Sequence, residues 1–315
     1  MADYLHGAYG QIQAVGTKVA IKSQNAIVYV GTAPVHTVAG GAANVNRPIL
    51  VTNIAEARKH FGYSDEWDKY TLCEAMHAHL ENKAVGPLVL INVLDPATHK
   101  AAEAGTANLT PENGRVTIAN AGDIILDTVA VTGKTKGTDY TVQYDFKKKL
   151  LTIAEITSGG LGTEALTITY NSIDATAIDA DDVIGATDGA GLNTGLFAIK
   201  NVYQETGFIP SFLLAPGFSS IPAVHSAMIQ NSQKVNSHWD VYVMADIPIV
   251  DDEGEQITLA TAATWKNANG YNKSNETVYF PLVKGTDDKI YHLSVLAAAN
   301  FQELLVAQDG IPYKT

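Results

Sequence analysis

The amino-acid sequence predicts a mixed α/β fold in which a discontinuous α/β domain carries an inserted antiparallel β-sandwich or barrel. Short uncharged apolar runs alternate with helical segments in residues 21–96 and again in residues 180–315. Between residues 97 and 179 helical periodicity disappears, and short alternating runs replace it. Residues 1–20 hold too few apolar side chains to build a core, so we expect an extended N-terminal arm.

The segment Phe208–Val224 is the centre of this prediction. Its uncharged run Phe212–Ala215 lies between prolines and is typical of a strand that is covered on both faces. A helix is expected near Ile221–Val235, and the apolar segment Trp239–Ile247 is expected to form the next strand. The order strand, helix, strand predicts a crossover in the core of the α/β domain.

The turn that follows the Phe212 strand carries its own signals. Pro216-Gly217 ends the strand, and Ser219 or Ser220 is placed to accept a hydrogen bond from the first free N–H groups of the helix. Pro222 suits the first turn of that helix, because proline lacks the N–H that would be unpaired there.

The segment before the insertion alternates strands and helices. Asn53 is expected to cap a short helix, with Glu56 placed to complete a capping box and Gly62 beyond the helix end. A longer helix is expected at about Asp65–Lys83, with acidic residues in its first turn and a buried stripe of Leu72, Met76 and Leu80. The strands expected here are Ala26–Val30, Pro48–Val51 and Leu88–Leu94.

The insertion reads as a series of short strands, with a hairpin around Asp145–Lys149. The strands expected there are Arg115–Ile118, Ile124–Val131, Tyr140–Tyr144, Leu150–Ile153 and Leu166–Tyr170. After residue 180 the α/β pattern resumes. Besides the crossover, it predicts helices near Leu192–Tyr203, Gln256–Asn267 and Leu293–Ala307 and a strand at Thr277–Val283.

Charge and cysteine content exclude several classes of function. The 315-residue chain has a net charge of −12, and no cluster of Lys and Arg reaches five residues, so no nucleic-acid partner is expected. The single cysteine, Cys73, excludes an intrachain disulfide and fits assembly in a reducing cytosol. No window approaches eighteen apolar residues, so no membrane insertion is expected.

The stretch Gly185–Gly195, GATDGAGLNTG, is the part of the sequence that most resembles a phosphate-binding loop. It lacks the Gly-Lys-Ser/Thr of a P-loop, and its glycines miss the spacing of the dinucleotide fingerprint by one residue. It also follows an acidic loop rather than a strand. We therefore interpret it as a flexible connector leading back from the insertion.

Cys73, Glu74, His77 and His79 form the most suggestive metal-ligand pattern. Cys73 and His77 share a helix face, and Glu74-x-x-His77 resembles half of a carboxylate di-iron site. Such a site needs a second copy of the motif from another helix, which the sequence lacks. The pattern is therefore interpreted as a helix with one buried thiol and exposed imidazoles.

Acidic clusters and serines give no catalytic pattern either. Neither Asp251–Glu255 nor the aspartates at 179, 181, 182 and 188 has the alternating spacing of a calcium loop, and both are interpreted as solvated turns. The run from Pro216 to Ser220 lacks the second glycine of the G-x-S-x-G motif. The sequence thus predicts no catalytic, cofactor-binding or metal-binding residues, and a protein that is not an enzyme.

Several motifs, in their shared order, resemble the bacteriophage contractile tail sheath family. The best match is Thr206–Pro210 followed by LLAPGFS, and the segment Leu50–Gly62 is similar to the family's short helix ending in Phe-Gly. The other matching segments are His6–Tyr9, Val30–Pro34, Asp246–Val250 and Thr277–Val283. Together they span most of the chain except the insertion.

This resemblance implies a structural subunit without catalysis or cofactor. Sheath subunits form hexameric rings stacked around a tail tube, and contraction of the sheath drives the tube through a bacterial envelope. The resemblance implies further copies of the chain as partners, joined through terminal arms that add strands to a neighbour's sheet. It also implies contacts with the tail tube, baseplate and tail terminator proteins, and a place in the virion tail after assembly in the host cytoplasm.

The chain departs from the family pattern after Gly310–Tyr313, where family members continue into a C-terminal domain and arm. We therefore expect a stable outer fragment, about two-thirds of a subunit, that assembles poorly on its own. Two alternatives remain open from the sequence. One is a nucleotide- or sugar-binding α/β enzyme that uses residues 185–195, and the other is a cell-surface adhesion module.

Overall fold

The computed structural model describes residues 18–19 and 25–308. The strands before the insertion are β1 Lys18–Val19, β2 Asn25–Gly31, β3 Ile49–Val51, β4 Val85–Gly86 and β5 Leu88–Asn92. Those of the insertion are β6 Gly105–Leu109, β7 Arg115–Ala119, β8 Ala130–Val131, β9 Tyr140–Asp145, β10 Leu150–Glu155 and β11 Leu166–Tyr170. The remaining strands are β12 Ile209–Leu214, β13 Tyr242–Asp246, β14 Glu276–Tyr279, β15 Val283–Lys284 and β16 Ile290–Tyr291.

Helices and strands are thus mixed along the chain, as the sequence predicts. The α-helices are α1 Ile54–Phe61, α2 Thr71–Ala75, α3 Ala180–Ile184, α4 Val202–Thr206, α5 Pro222–Ser232, α6 Ala262–Ala268 and α7 Leu293–Ala307. A π-helical segment, Met76–Asn82, continues α2. The expected N-terminal arm lies outside the described residues except for β1, which pairs in parallel with β4.

A six-stranded sheet forms the centre of the molecule, in the order β14-β13-β12-β2-β5-β3. All of its pairings are parallel except that of β3 with β5. Its central strands are apolar on both faces, and alternate residues point into two different cores. Tyr29 and Leu90 pack into one, while Val28 and Ile91 pack into the other, all of them fully buried.

The predicted crossover is confirmed, because β12 and β13 are parallel neighbours joined through α5. Pro222 occupies the first turn of α5, as expected. The predicted serine cap is wrong, since no side chain caps α5. Ser219 Oγ instead accepts the backbone N–H of Asp246 at 3.0 Å, so it joins the loop after β12 to the end of β13.

Residues 105–170 form two three-stranded sheets, ordered β7-β10-β9 and β6-β11-β8, around a core that includes Tyr140 and Ile168. The hairpin around 145–149 is confirmed by the antiparallel pairing of β9 with β10. The predicted strand Ile124–Val131 is wrong over most of its length, because a 3-10 helix at Leu126–Thr128 leaves only two residues for β8. Strand β6 was not predicted, since its sequence, GTANL, shows no clear apolar alternation.

The turn of the β9–β10 hairpin attaches these sheets to the segment before the insertion. The ring of Phe146 packs edge-on against Tyr63 with 5.3 Å between centroids, and the Arg58 guanidinium lies 4.7 Å from the Tyr63 ring and 5.0 Å from the Phe146 ring. Lys149 forms an ion pair with Glu66 beside this cluster. The contact therefore combines ring packing with charge pairing.

The helix predicted at 65–83 begins six residues later than expected, at Thr71. Residues 65–70 form a turn instead, closed by the N–H of Tyr70 donating to the carbonyl of Glu66 at 2.9 Å. The expected stripe of Leu72, Met76 and Leu80 is buried, so the face of this helix is confirmed although its start is not.

Other boundaries differ by smaller amounts. Asn53 caps α1, but the Glu56 carboxylate accepts the N–H of Thr52 rather than that of Asn53, so the capping box is only half formed. The segment 192–203 begins as a 3-10 helix at Gly195–Asn201 before α4, α6 begins only at Ala262, and β14 ends at Tyr279. Helix α7 has the predicted bounds.

Candidate functional site

The natural place for a ligand in an open parallel sheet is the crevice at the carboxyl ends of its strands, where the strand order reverses. Here the chain runs from β2 to β5 on one side and later to β12 on the other, so the reversal lies between β2 and β12. The residues at this point are those that follow β2, starting at Thr32, and those that follow β12, starting at Ala215.

The start of α2 fills this crevice. The Thr32 N–H donates to Thr71 Oγ1 at 3.3 Å, the Thr71 N–H donates to Thr32 Oγ1 at 3.1 Å, and the Leu72 N–H donates to the Thr32 carbonyl at 2.9 Å. Both threonines are buried, with exposed fractions of 1% and 3%. A ligand at the switch point would have to displace this reciprocal set of hydrogen bonds.

Two glycines allow Thr71 to approach so closely. A Cβ atom on Gly31 would lie 2.3 Å from Thr71 Oγ1, and one on Gly217 would lie 2.9 Å from Thr71 Cγ2. Gly217 also has a φ of +79°, which disfavours any side chain. These glycines therefore accommodate a protein side chain where the glycines of nucleotide-binding folds accommodate phosphate.

The stretch Gly185–Gly195 does not form a phosphate cradle. A Cβ on Gly185 would lie 2.1 Å from the Thr194 carbonyl oxygen, so the two ends of the loop touch each other. The N–H of Gly195 donates to Asn46 Oδ1 at 2.8 Å, and Asp188 Oδ1 accepts the N–H groups of Ala190 and Leu192 within the loop. These backbone donors already have partners within the protein.

The prediction of exposed imidazoles on the Cys73–His79 helix is wrong. His79 is fully buried, and its ring accepts the Tyr29 hydroxyl at Nε2 and donates from Nδ1 to Gln302 Oε1, both at 2.6 Å. Gln302 Nε2 donates in turn to the Pro87 carbonyl at 2.7 Å. Burial lowers the pKa of His79 to about 4, so the ring is neutral at pH 7. The buried thiol of Cys73 is confirmed, and burial raises its pKa to about 12.

His77 and Glu74 are also buried, and both face the segment that leads into α7. His77 Nδ1 is hydrogen-bonded to the Tyr291 hydroxyl at 2.9 Å. The Glu74 carboxylate, 1% exposed, accepts the His292 N–H at 2.5 Å and its Nδ1–H at 2.7 Å. Burial lowers the pKa of His292, but the hydrogen bond and charge of Glu74 outweigh burial, and the pKa is raised overall.

Asp246, at the carboxyl end of β13, caps α7 from outside the helix. Its Oδ1 accepts the Ser294 N–H at 3.0 Å, and its Oδ2 accepts the Ser294 hydroxyl. No side chain of α7's own N-terminal turn performs this task. Asp246 is only 4% exposed, and this burial raises the pKa of its carboxyl to about 6 despite the helix N-terminus beside it.

The acidic clusters cap turns of the backbone. Asp179 Oδ1 accepts the N–H groups of Asp181 and Asp182 at the start of α3. Asp251 Oδ1 accepts those of Glu253 and Glu255. In the part of the chain that the structure describes, no three His, Cys, Asp or Glu side chains are grouped so as to hold a metal ion.

None of the helices in that part has the length and apolarity needed to cross a membrane.

The crevice packing gives a first prediction. Gly31→Ala places a methyl group against Thr71 Oγ1, and we expect the free energy of unfolding to fall by about 1–3 kcal/mol because the site is already filled. Urea unfolding measures this, with Gly189→Ala as the control, since a Cβ at Gly189 meets no atom within 4 Å. Equal stability of the two variants would show that Thr71 does not seal the crevice.

Asp246 gives a second prediction. Its raised pKa means that folding favours the protonated form, so its ionisation costs stability above pH 6 and the cost disappears as the pH falls toward 4. Asp246→Asn keeps an acceptor for the Ser294 N–H and removes the charge. We expect a gain of about 2 kcal/mol in unfolding free energy at pH 8 that shrinks toward pH 4. A difference from the parent that does not change with pH would contradict this.

Comparison with known proteins agrees with the resemblance found in the motifs. No protein-family model matches the chain. The chain is 29% identical over 296 residues to the tail sheath protein of Burkholderia phage BcepMu, an alignment that covers 91% of this chain and 57% of the phage protein. The chain thus spans little more than half the length of that relative.

A solved structure of a sheath tail protein from Desulfitobacterium hafniense aligns with 98% of this chain and 62% of its own, at 10% identity. Its TM-score of 0.37 is too low to establish a shared fold. The similarity to the Burkholderia phage protein covers most of the chain, and it confirms that this chain resembles phage tail sheath proteins.

Proposed function

We propose that this chain is part of a structural subunit of a contractile tail sheath, which assembles as stacked hexameric rings around a tail tube and contracts to drive the tube through a bacterial envelope. The observation that carries the proposal is the similarity to a phage tail sheath protein over 91% of the chain. Coverage this broad includes segments on both sides of the insertion.

The sheet topology supports the domain organisation that we propose with this function. Strands from residues 25–92 and 209–279 share the central sheet, and residues 105–170 have their own sheets and core. This favours a discontinuous core domain of residues 21–96 and 180–315, an inserted all-β domain of residues 97–179, and an arm of residues 1–20.

A structural role without catalysis fits the filled crevice and the buried histidines. His77 and His79 lie inside the protein with protein partners, and Thr71 occupies the ligand crevice. We infer that the subunit works by association, with other sheath subunits through terminal arms and with tube, baseplate and tail terminator proteins. Its place would be the virion tail, after assembly in the host cytoplasm.

Strand exchange between subunits would use the edges of the sheets. Within the described residues, β14 and β3 are the edge strands of the central sheet, and β1 pairs with β4 alone. An edge strand offers unpaired N–H and C=O groups to an incoming segment. Such backbone bonding would hold subunits together while their domains change orientation.

Immunogold electron microscopy tests the proposal directly. Antibodies raised against this chain should label the outer shaft of contractile tails along its whole length in particles from a host that carries the gene. Particles from a strain with the gene deleted are the control and should lack a sheath and the label. Label confined to the head or the fibres, or sheathed tails in the deletion strain, would contradict the proposal.

A thermal-shift experiment separates the sheath proposal from the alternative of a nucleotide- or sugar-binding enzyme. The enzyme should be stabilised by its ligand, and a sheath subunit should not. A ligand at a hundred times its dissociation constant stabilises a protein by about 2.7 kcal/mol. Because Thr71 fills the crevice and residues 185–195 bond to themselves and to Asn46, we expect no shift with ATP, GTP or UDP-glucose at about 1 mM. A reproducible rise in melting temperature with one of them would favour the enzyme.

A further inference from the structure

We propose that copies of this chain associate head to tail, with an acid-rimmed apolar groove at the carboxyl end of the central sheet receiving a cationic, aromatic patch from the amino end of the sheet in the next copy. The inference rests on the proposed function in one respect, since it names further copies of the chain as the partner. It adds which surfaces meet.

The groove lies beyond the ends of β13 and β14. Two adjoining hollows share Leu282 and His292 as lining residues. Ile249 and Val250 line one hollow and are each 45% exposed, and Ile290 lines the other and is 62% exposed. Large apolar side chains that cluster in this way and remain open to solvent mark a contact surface rather than an ordinary exterior.

The rim of the groove is acidic. The turn that follows Val250 carries Asp251, Asp252, Glu253 and Glu255, and no Lys or Arg occurs between Lys234 and Lys266. On the opposite side Asp65 and Asp68, which line the second hollow, add two further carboxylates. Asp65 is paired with Lys289, so Asp68 and the turn at 251–255 carry most of the unbalanced charge.

The amino end of the same strands has the opposite character. The exposed ring of Tyr203 and the half-buried ring of Trp239, 4.9 Å apart, lie in the segments before β12 and β13. Four lysines stand in the segments that lead into β12, β13 and β14, namely Lys200, Lys234, Lys266 and Lys273. Three carboxylates lie there, and each has a partner: Glu205 pairs with Arg47, Glu276 bonds to His225, and Asp240 accepts the Lys234 N–H.

Parallel strands fix these surfaces at opposite ends of one rigid sheet, so a molecule cannot place its patch in its own groove. Contact between two grooves would bring acid against acid, and contact between two patches would bring cation against cation. Contact between groove and patch joins opposite charges and covers apolar side chains on both partners. Because the two surfaces differ, each contact leaves a free groove and a free patch, and association continues into rings or helical arrays.

Cysteine cross-linking tests this arrangement, even when association is weak. The native Cys73 is buried with a pKa of about 12, so it does not react with a maleimide. The double variant Val250→Cys with Lys234→Cys, treated with a short bis-maleimide at low salt, should give a ladder of dimers, trimers and higher species. Each single variant should remain monomeric. A control double variant, Val250→Cys with Lys147→Cys, places the second thiol in the insertion and should give no ladder.

Charge reversal in the double-cysteine background adds a second readout. Asp252→Lys or Lys273→Glu alone should weaken association about tenfold, as judged from the protein concentration needed for half-maximal cross-linking, and the two together should restore it. Lys147→Glu, on the insertion, should change nothing. Circular dichroism melts confirm that each variant is folded.

Three outcomes would overturn the inference. Dimers from the Val250→Cys single variant would mean that two grooves face each other, and no cross-linking of the double variant would mean that the groove serves a different partner. Charge reversals that weaken association without mutual rescue would contradict the pairing of the two surfaces. If immunogold labels the tails but cross-linking gives one of these three results, the sheath proposal stands and the head-to-tail contact is wrong. If cross-linking gives a ladder but immunogold does not label the tails, the head-to-tail contact stands and the sheath proposal is wrong.

Discussion

The hydrogen bonds between Thr32 and Thr71 are the constraint on which the rest of the structure depends. They bring the loop after β2 and the start of α2 together, although 39 residues separate the two threonines in sequence. With Thr71 fixed, the helix that follows must run across the central sheet, and Glu74, His77 and His79 then face the protein interior. Each of these polar groups would cost free energy if it were left without a partner, so the position of Thr71 dictates what the facing element must supply.

Helix α7 and the turn before it meet that demand. Tyr291, His292 and Gln302 supply partners to His77, Glu74 and His79. A hydrogen bond forms only within a narrow range of distances and angles, whereas apolar packing is non-directional. These bonds therefore restrict the position of α7 more than its apolar contacts do. The same geometry explains why these side chains offer no chemistry to a ligand. Glu74, His77 and His79 are residue types that occur in metal and acid–base sites, but each of them is hydrogen-bonded to α7 or to the turn before it.

Local signals made much of this fold predictable. The positions of the apolar strands of the central sheet, the β9–β10 hairpin, the crossover through α5 and the bounds of α7 follow from neighbours within a few residues, and these predictions are confirmed. The start of α2 and the burial of His79 could not be read in this way, because their partners are distant. Thr32 lies 39 residues from Thr71, and Gln302 lies 223 residues from His79. The local hints were weak: Gln302 lies beside Glu303 in an otherwise apolar helix, and Tyr29 lies within an apolar strand.

A sheet whose crevice is sealed can still use its two ends. Sealing removes the usual ligand site of a parallel sheet, but it also couples β2, α2 and α7 into one body, so the groove after β13 and the patch before it keep a fixed separation. A fixed separation is what repeated association requires, since small errors in the angle between copies accumulate along an array. Catalysis would instead need an open crevice and titratable groups free to exchange protons with a substrate. Asp246 and His292 are instead engaged at the N-terminus of α7, where Asp246 accepts the Ser294 N–H and His292 donates to Glu74. Under the proposed head-to-tail association, these buried bonds hold the elements together, and the contact surfaces lie at the two outer ends of the sheet.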